Sequence, residues 1–215
     1  MTKNKNLEKL VSIQGYEECL EHDSFNLKKN KESKFQKFEF LGDRVLSLAL
    51  SEYLVANYTN DTLYNMSRRM NFLISNKTLS KLFQENNFDS LLSHHLDNSI
   101  NKNFVYADAL ESIIGFVYLS KGLSFSKKFI YEIWSELLDT LPEKDPKTLL
   151  QETCQRLFKK IPIYKTVSKS GDPHKPLFKI SATIQDLEAF GDGYSKQNAE
   201  IKAAKNLIKL INFDD

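Results

Sequence analysis

Apolar residues recur every three to four positions through the first 140 residues, a spacing that places them on one face of an α-helix. The alternation of apolar and polar residues that is typical of a half-buried strand is nearly absent there. Asp61 is a candidate N-cap and Gly122 a candidate helix stop. We therefore expect an all-α domain over residues 1–140. Its predicted helical segments are Leu7–Ile13, Tyr16–Leu20, Phe38–Tyr58, Leu63–Ile74, Lys77–Glu85, Val105–Ser120 and Phe125–Leu138.

The pattern changes after residues 141–147, which carry two prolines and several charges and are expected to form a linker. Alternating apolar positions now predict strands, and a turn is expected over Gly171–Pro176. Residues 148–215 therefore predict a compact α-β-β-β-α module, so the fold class is multidomain, α followed by α+β. The elements of this module are a helix over Thr148–Lys160, strands over Ile163–Ser168, Leu177–Ile184 and Leu187–Tyr194, and a closing helix over Ser195–Ile211.

The charge is unevenly distributed between these two parts. The 215 residues have a formal net charge of only +2, which by itself argues against a nucleic-acid partner. Residues 1–145, however, hold 18 basic and 20 acidic side chains, whereas residues 146–215 hold 12 basic and 8 acidic ones. The small module is therefore basic and suited to a polyanion.

Cysteine usage and hydropathy restrict the setting of the protein. Cys19 and Cys154 are far apart and match no metal-ligand spacing. No stretch approaches the roughly 18 consecutive apolar residues that a membrane helix needs. We expect a cytoplasmic protein without a membrane partner.

Two predicted helices carry carboxylates on their apolar stripes. At about 100° per residue, Glu39 and Asp43 share a side with Leu46 and Leu50, whereas a solvated acidic face would lie opposite the leucines. Gly42 costs about 1 kcal/mol relative to alanine in a helix, which suggests the close approach of another group. Burying two carboxylates is unfavourable unless a positive charge neutralises them.

The helix that contains Asp108 and Glu111 repeats this arrangement, and Gly115 lies on the same side. If the two helices pack face to face, four carboxylates meet and require a cation. Oxygen ligands without His or Cys favour Mg²⁺. For either pair alone, a solvated face or a salt bridge with lysine is the commoner explanation, and the residues themselves leave that alternative open.

These segments carry a resemblance to a known family. Phe38–Leu46 (FEFLGDRVL) resembles the signature of the ribonuclease III family, and Ala107–Leu119 (ADALESIIGFVYL) is similar to its second acidic motif. The C-terminal module resembles a double-stranded-RNA-binding domain through Asp145–Glu152, Gly171–His174 and Ser195–Glu200. The resemblance covers nearly the whole chain, in order.

The resemblance implies a Mg²⁺-dependent endoribonuclease, with Mn²⁺ able to substitute, that acts as a homodimer on double-stranded RNA. Such an enzyme leaves 5′-phosphate and 3′-hydroxyl ends with short 3′ overhangs, and processing of ribosomal RNA precursors and messenger RNA is expected. Phe40 matches an aromatic residue that inserts into the partner subunit, although packing in the chain's own core is an alternative. The metal ligands fall on Glu39, Asp43, Asp108 and Glu111, of which Asp43 and Glu111 are the expected catalytic residues.

In the basic module, the resemblance implies contacts to an A-form duplex, whose wide minor groove presents 2′-hydroxyls. The helix N-terminus at Lys196 would face phosphates, because its positive dipole favours an anion. The expected RNA-binding residues are Thr148, Gln151, Glu152, His174, Lys196 and Gln197.

Several positions depart from the family pattern, and they bear on how substrate is positioned. Gln36 and Leu63 each stand where the family has a glutamate, and Lys37 stands where it has an arginine. Gln197 replaces the second lysine of a Lys-Lys pair, and Arg68–Met70 replaces an Arg-x-Arg/Lys pattern. We expect an active enzyme with altered substrate preference. A non-catalytic RNA-binding scaffold with the same fold is the alternative.

Overall fold

A computed structural model of the chain describes residues 3–21, 34–92, 102–172 and 174–211. The chain divides between Pro142 and Glu143 into two compact units, here called the helical unit and the sheet unit. The helical unit contains α1 (Lys3–Val11), α2 (Lys34–Asn57), α3 (Leu63–Leu73), α4 (Asn76–Glu85) and α5 (Lys102–Ile133), with 3₁₀ turns at Tyr16–Cys19 and Phe88–Leu91. The expected all-α architecture is confirmed.

The helix bounds differ from the sequence prediction around α5. The element α5 (Lys102–Ile133) consists of two helices joined at a kink, where Gly122 adopts the non-helical φ 76° and ψ 174°. The expected helix stop at Gly122 is therefore confirmed, because two helices meet at this kink. The prediction that helix continues to Leu138 was wrong, since turns follow Ile133.

The long helices α2 and α5 cross with their backbones in direct contact. An ideal Cβ on Gly42 would lie 1.8 Å from the Glu111 carbonyl oxygen, and one on Gly115 would lie 2.0 Å from the Phe38 carbonyl oxygen. The glycines are therefore required because no side chain fits between the helices. The expectation of a close approach at both glycines is confirmed.

Neighbouring contacts fix the rotation of α5 at this crossing. The buried Ser112 hydroxyl donates to the Cys19 carbonyl oxygen at 2.8 Å, and the rings of Phe38 and Phe116 meet edge to face at 5.7 Å. Buried polar groups need such partners, so Ser112 has a defined position in the core. Its chain neighbour Glu111 is held at the crossing as a result.

A buried arginine ties the end of the helical unit to α3. Arg69 is 7% exposed, its Nε donates to Asp61 at 2.9 Å, and its Nη1 donates to the Asp139 carbonyl oxygen at 3.0 Å. The prediction of Asp61 as an N-cap was wrong, because Thr62 caps α3 by accepting from the Asn65 amide. Asp61 instead neutralises a guanidinium that burial would otherwise leave unpaired.

The sheet unit begins with α6 (Pro146–Phe158), two residues earlier than expected, because the Asp145 carboxylate accepts from the Lys147 and Thr148 amides. It continues with β1 (Ile163–Asp172), β2 (Lys175–Ile184), β3 (Leu187–Gly193) and α7 (Lys196–Ile211). The strands form one antiparallel sheet in the order β1-β2-β3, and α7 packs on β2 and β3. The expected α-β-β-β-α module is confirmed.

We predict that Gly42→Ala or Gly115→Ala lowers the free energy of unfolding by at least about 3 kcal/mol, because the new methyl group must push two backbones apart. In an isolated helix the same change would stabilise by about 1 kcal/mol, so the sign of the effect is diagnostic. Chemical denaturation of each variant measures it. Ser51→Ala, at an exposed position of α2, is the control; a glycine variant as stable as this control would contradict the crossing.

Candidate functional site

The crossing of α2 and α5 brings three of the four expected metal ligands together. Carboxylate oxygens of Glu39, Asp108 and Glu111 all lie within 4.8 Å of one another, and each of the three side chains is half-buried. Among the residues that the structure describes, this is the one group of three or more acidic, histidine or cysteine side chains with that spacing. The face-to-face packing inferred from the two glycines thus produces an acidic cluster.

The surroundings of Glu111 disfavour its ionised form. Burial, followed by the negative charges of Asp43, Asp108 and Glu39, raises the pKa of Glu111 to about 8. A carboxylate whose ionised form is this unfavourable gains from a bound cation. The donors are oxygens without nitrogen or sulfur, the set that suits Mg²⁺ or Mn²⁺, so the residues present fit the expected metal.

Asp43 lies close to the cluster without belonging to it. Its charge is the largest single electrostatic contribution to the raised pKa of Glu111, so it is near. Its Oδ2, however, accepts a hydrogen bond of 2.8 Å from Arg44 Nη1. This contact sets the direction of the Asp43 carboxylate, because a helical stripe specifies the side of a helix but not the rotamer.

Arg44 is a residue of the site that sequence reasoning missed. Its guanidinium lies 3.9 Å from the centre of the Phe40 ring and also donates to the Phe40 carbonyl oxygen at 3.0 Å. Its positive charge opposes the raised pKa of Glu111. Its place beside Asp43 and four residues after Phe40 was the available signal, because side chains four apart meet on a helix.

Phe40, which precedes the acidic Asp43 by three residues on α2, is exposed. The side chain is 64% exposed, so packing in the chain's own core does not account for it. An exposed aromatic ring at this position suits a contact with another molecule, in line with the expected role at a subunit interface.

The positions of the helical unit that depart from the family pattern fall into two groups. Leu63 is 80% exposed at the start of α3, and Gln36 and Lys37 are exposed in the first turn of α2. Arg68, in contrast, is half-buried and its Nη2 donates to the Pro142 carbonyl oxygen, and Arg69 is buried. The two arginines therefore hold the end of the helical unit.

The expected RNA-binding residues of the sheet unit lie at its surface. In α6, Gln151 and Glu152 are exposed and Thr148 is half-buried, and their spacing places them on one helix face. Glu152 forms an ion pair with Lys144. His174 is exposed between β1 and β2, where Gly171 adopts φ 86°.

The N-terminus of α7 is built as an anion site would be. Lys196 and Gln197 are exposed, and the Ser195 hydroxyl accepts from the Asn198 amide at 3.1 Å. The cap fixes the first turn, so the helix dipole and the Lys196 charge act in the same place.

Among the described helices, none combines the length and apolarity that spanning a membrane requires.

We predict that Glu111→Gln stabilises the cation-free protein at pH 8 but not at pH 5. The pKa of Glu111 rises from about 4.5 in the unfolded chain to about 8 in the folded protein. Between these pH values the folded state binds one proton that the unfolded state has lost, so the free energy of unfolding falls as the pH rises from about 4.5 to 8. Glutamine carries no such proton. We expect a gain on the order of 2 kcal/mol at pH 8, allowing for solvent screening, measured by denaturation in EDTA. The exposed Glu132→Gln is the control; equal stability at pH 8 would count against the cluster.

Comparison with known proteins agrees with both units. The family model described as Ribonuclease-III-like matches residues 14–137, and that of the double-stranded RNA binding motif matches residues 146–211. Ribonuclease 3 of Pelagibacter ubique is 35% identical over 200 residues, which cover 89% of this chain and 87% of that protein. Ribonuclease 3 of Bdellovibrio bacteriovorus is 33% identical over 205 residues, covering 90% and 88%.

Solved structures resemble the helical unit. A nuclease domain of ribonuclease III from Campylobacter jejuni is 25% identical with a TM-score of 0.53, and the match covers 62% of this chain and 96% of that domain. A second structure of that nuclease domain is 26% identical with a TM-score of 0.51, covering 67% and 100%. Two family models in the expected order, relatives matched over most of their length and an acidic cluster at the crossing of α2 and α5 together mean that the chain belongs to the ribonuclease III family.

Proposed function

We propose that this protein is a Mg²⁺-dependent endoribonuclease that cleaves both strands of double-stranded RNA. The convergence of Glu39, Asp108 and Glu111 within 4.8 Å is the observation that carries the proposal. Asp43 is the proposed fourth ligand, and Asp43 and Glu111 are the proposed catalytic residues. Mn²⁺ offers the same preference for oxygen donors and is expected to substitute.

The reaction is hydrolysis of the phosphodiester at its 3′-oxygen. The oxygen of water forms a bond to phosphorus, the bond from phosphorus to the 3′-oxygen breaks, and a proton ends on that oxygen. One strand end therefore carries a 5′-phosphate and the other a 3′-hydroxyl. When bound, the divalent cation would offset the negative charge that develops on the phosphate and make the attacking water more acidic.

The chain's own residues hold the cation and exchange protons. Glu39 and Asp108 are half-buried, so their carboxylates are held in place by the two helices. Glu111, with a pKa of about 8 before a cation binds, loses its proton when it becomes a ligand. Cation binding is therefore expected to strengthen as the pH rises toward 8.

The sheet unit is proposed to hold the duplex by shape. Thr148, Gln151 and Glu152 would bond 2′-hydroxyls in one minor groove and His174 would enter the next. Lys196 would contact phosphates across the intervening major groove, with Gln197 adding a neutral donor. With one lysine in place of two, binding is expected to be less sensitive to salt.

Cutting both strands of a duplex in a single encounter needs two active sites, so a homodimer is proposed. One of the similar Campylobacter jejuni structures is described by a region involved in dimer formation of its nuclease domain. The exposed Phe40 is the proposed interface residue on this chain. The expected products carry short 3′ overhangs, and the expected role is processing of ribosomal RNA precursors and messenger RNA in the cytoplasm.

We predict that Glu111→Gln lowers the rate of duplex cleavage at least 100-fold in Mg²⁺, because a neutral amide is a poor ligand for the cation. Binding of a double-stranded RNA in Ca²⁺ or EDTA should stay within about two-fold, since the sheet unit is unchanged. Gel assays measure both quantities, with Glu132→Gln as the matched control on α5. Unchanged cleavage would refute the site, and a wild-type protein inactive on duplex RNA would favour a non-catalytic scaffold.

We predict that Lys196→Ala weakens duplex binding about 3- to 10-fold and lowers the salt dependence by about one counterion, because one phosphate contact is lost. Cleavage at saturating RNA should change little. Titrations at several salt concentrations measure the slope. Lys209→Ala, in the last turn of the same helix, removes an equal charge far from the proposed contact. Equal losses in both variants would mean that only net charge matters.

A further inference from the structure

Arg44 links the acidic cluster to an exposed aromatic ring. Its guanidinium makes three contacts on α2: Nη1 lies 2.8 Å from Asp43 Oδ2 and 3.0 Å from the Phe40 carbonyl oxygen, and the central carbon lies 3.9 Å from the Phe40 ring centre. A planar guanidinium can stack and donate hydrogen bonds at once, so these contacts are compatible. The side chain is thereby held in one place although it is exposed.

The consequence for Asp43 is a competition for its carboxylate. Within the described residues, the group that could share one cation comprises Glu39, Asp108 and Glu111, and Asp43 lies outside it. Asp43 is nevertheless close enough to be the strongest charge acting on Glu111. A cation that recruited Asp43 as a fourth ligand would have to separate it from Arg44.

We propose that Arg44 is a positioning residue that acts as a built-in counter-ion, holding Asp43 away from the acidic cluster until a divalent cation displaces it. This inference rests on the proposed function, since it takes the cluster as the cation site. Arg44 thereby weakens cation binding but relieves repulsion among four carboxylates in the cation-free chain. Phe40 supplies two of the three anchors that keep Arg44 in this position.

The size of the effect follows from solvent exposure. The side chains of Arg44 and Asp43 are 57% and 40% exposed, so water and salt screen their attraction. Removing the competitor should therefore tighten cation binding only about two- to five-fold, where five-fold corresponds to about 1 kcal/mol. The sign is more informative than the size, because general damage to the site would weaken binding.

Isothermal titration of the full chain with MgCl₂, without RNA, tests the proposal. Arg44→Ala should bind Mg²⁺ two- to five-fold more tightly and melt at a lower temperature in EDTA, and Arg44→Lys, which keeps the charge without the planar fork, should lie between it and the wild type. Lys127→Ala is the control, because it removes a lysine whose partner Glu52 lies on α2, eight residues beyond Arg44. Its Mg²⁺ affinity should equal that of the wild type.

A double-variant comparison shows whether Arg44 acts through Asp43. Asp43→Asn and Asp43→Asn with Arg44→Ala should differ less in Mg²⁺ affinity than the wild type and Arg44→Ala do, because no carboxylate is left to release and only the direct effect of the Arg44 charge on the cluster remains. Unchanged or weaker Mg²⁺ binding by Arg44→Ala would overturn the proposal. So would an Arg44→Ala variant whose only difference from the wild type is weaker RNA binding. A wild-type chain that binds no Mg²⁺ would overturn the proposed function, and this inference with it.

Discussion

The site depends on the contact between the backbones of α2 and α5. Gly42 and Gly115 let these helices approach until a methyl group on either would overlap a carbonyl of the other. Glu39 and Asp43 flank Gly42 in the sequence, and Asp108 and Glu111 precede Gly115 by two turns and by one turn, respectively. The close approach of the backbones therefore brings the carboxylates within reach of one another, and the rotamer of each side chain sets the final distance.

The same contact makes the cation-free chain electrostatically unfavourable. Burial first, and then repulsion from the neighbouring carboxylates, disfavour the ionised form of Glu111 and raise its pKa. Ordinary stability would favour replacing these acids with apolar residues. The surrounding core, with Ser112 bonded to Cys19 and with Phe38 against Phe116, stabilises the crossing in spite of it. Because the cluster without a cation is electrostatically unfavourable, a bound cation is expected to stabilise the protein by a corresponding amount.

Much of this arrangement could be predicted from the sequence because it depends on periodicity. A glycine in the middle of an apolar helix and acids on a leucine stripe are both local anomalies, and they indicated the crossing and its cluster. The orientation of Asp43 could not be predicted, because it depends on a rotamer chosen by the contact with Arg44. The pairing of Asp61 with Arg69 was missed for a similar reason, since it depends on where a buried guanidinium lies. The prediction ended β1 at Ser168, whereas the strand continues to Asp172. Nearly every residue of this strand is exposed, so its sequence needs no alternation of apolar and polar residues.

The central claim is that the carboxylates at the crossing bind a divalent cation. Anomalous diffraction from crystals of the full chain grown with Mn²⁺ tests it most directly, because Mn²⁺ shares the oxygen preference of Mg²⁺ and can be located by its own signal. We expect one dominant peak per chain within coordination distance of Glu39, Asp108 and Glu111. A dominant peak elsewhere, or none at millimolar Mn²⁺, would contradict the account.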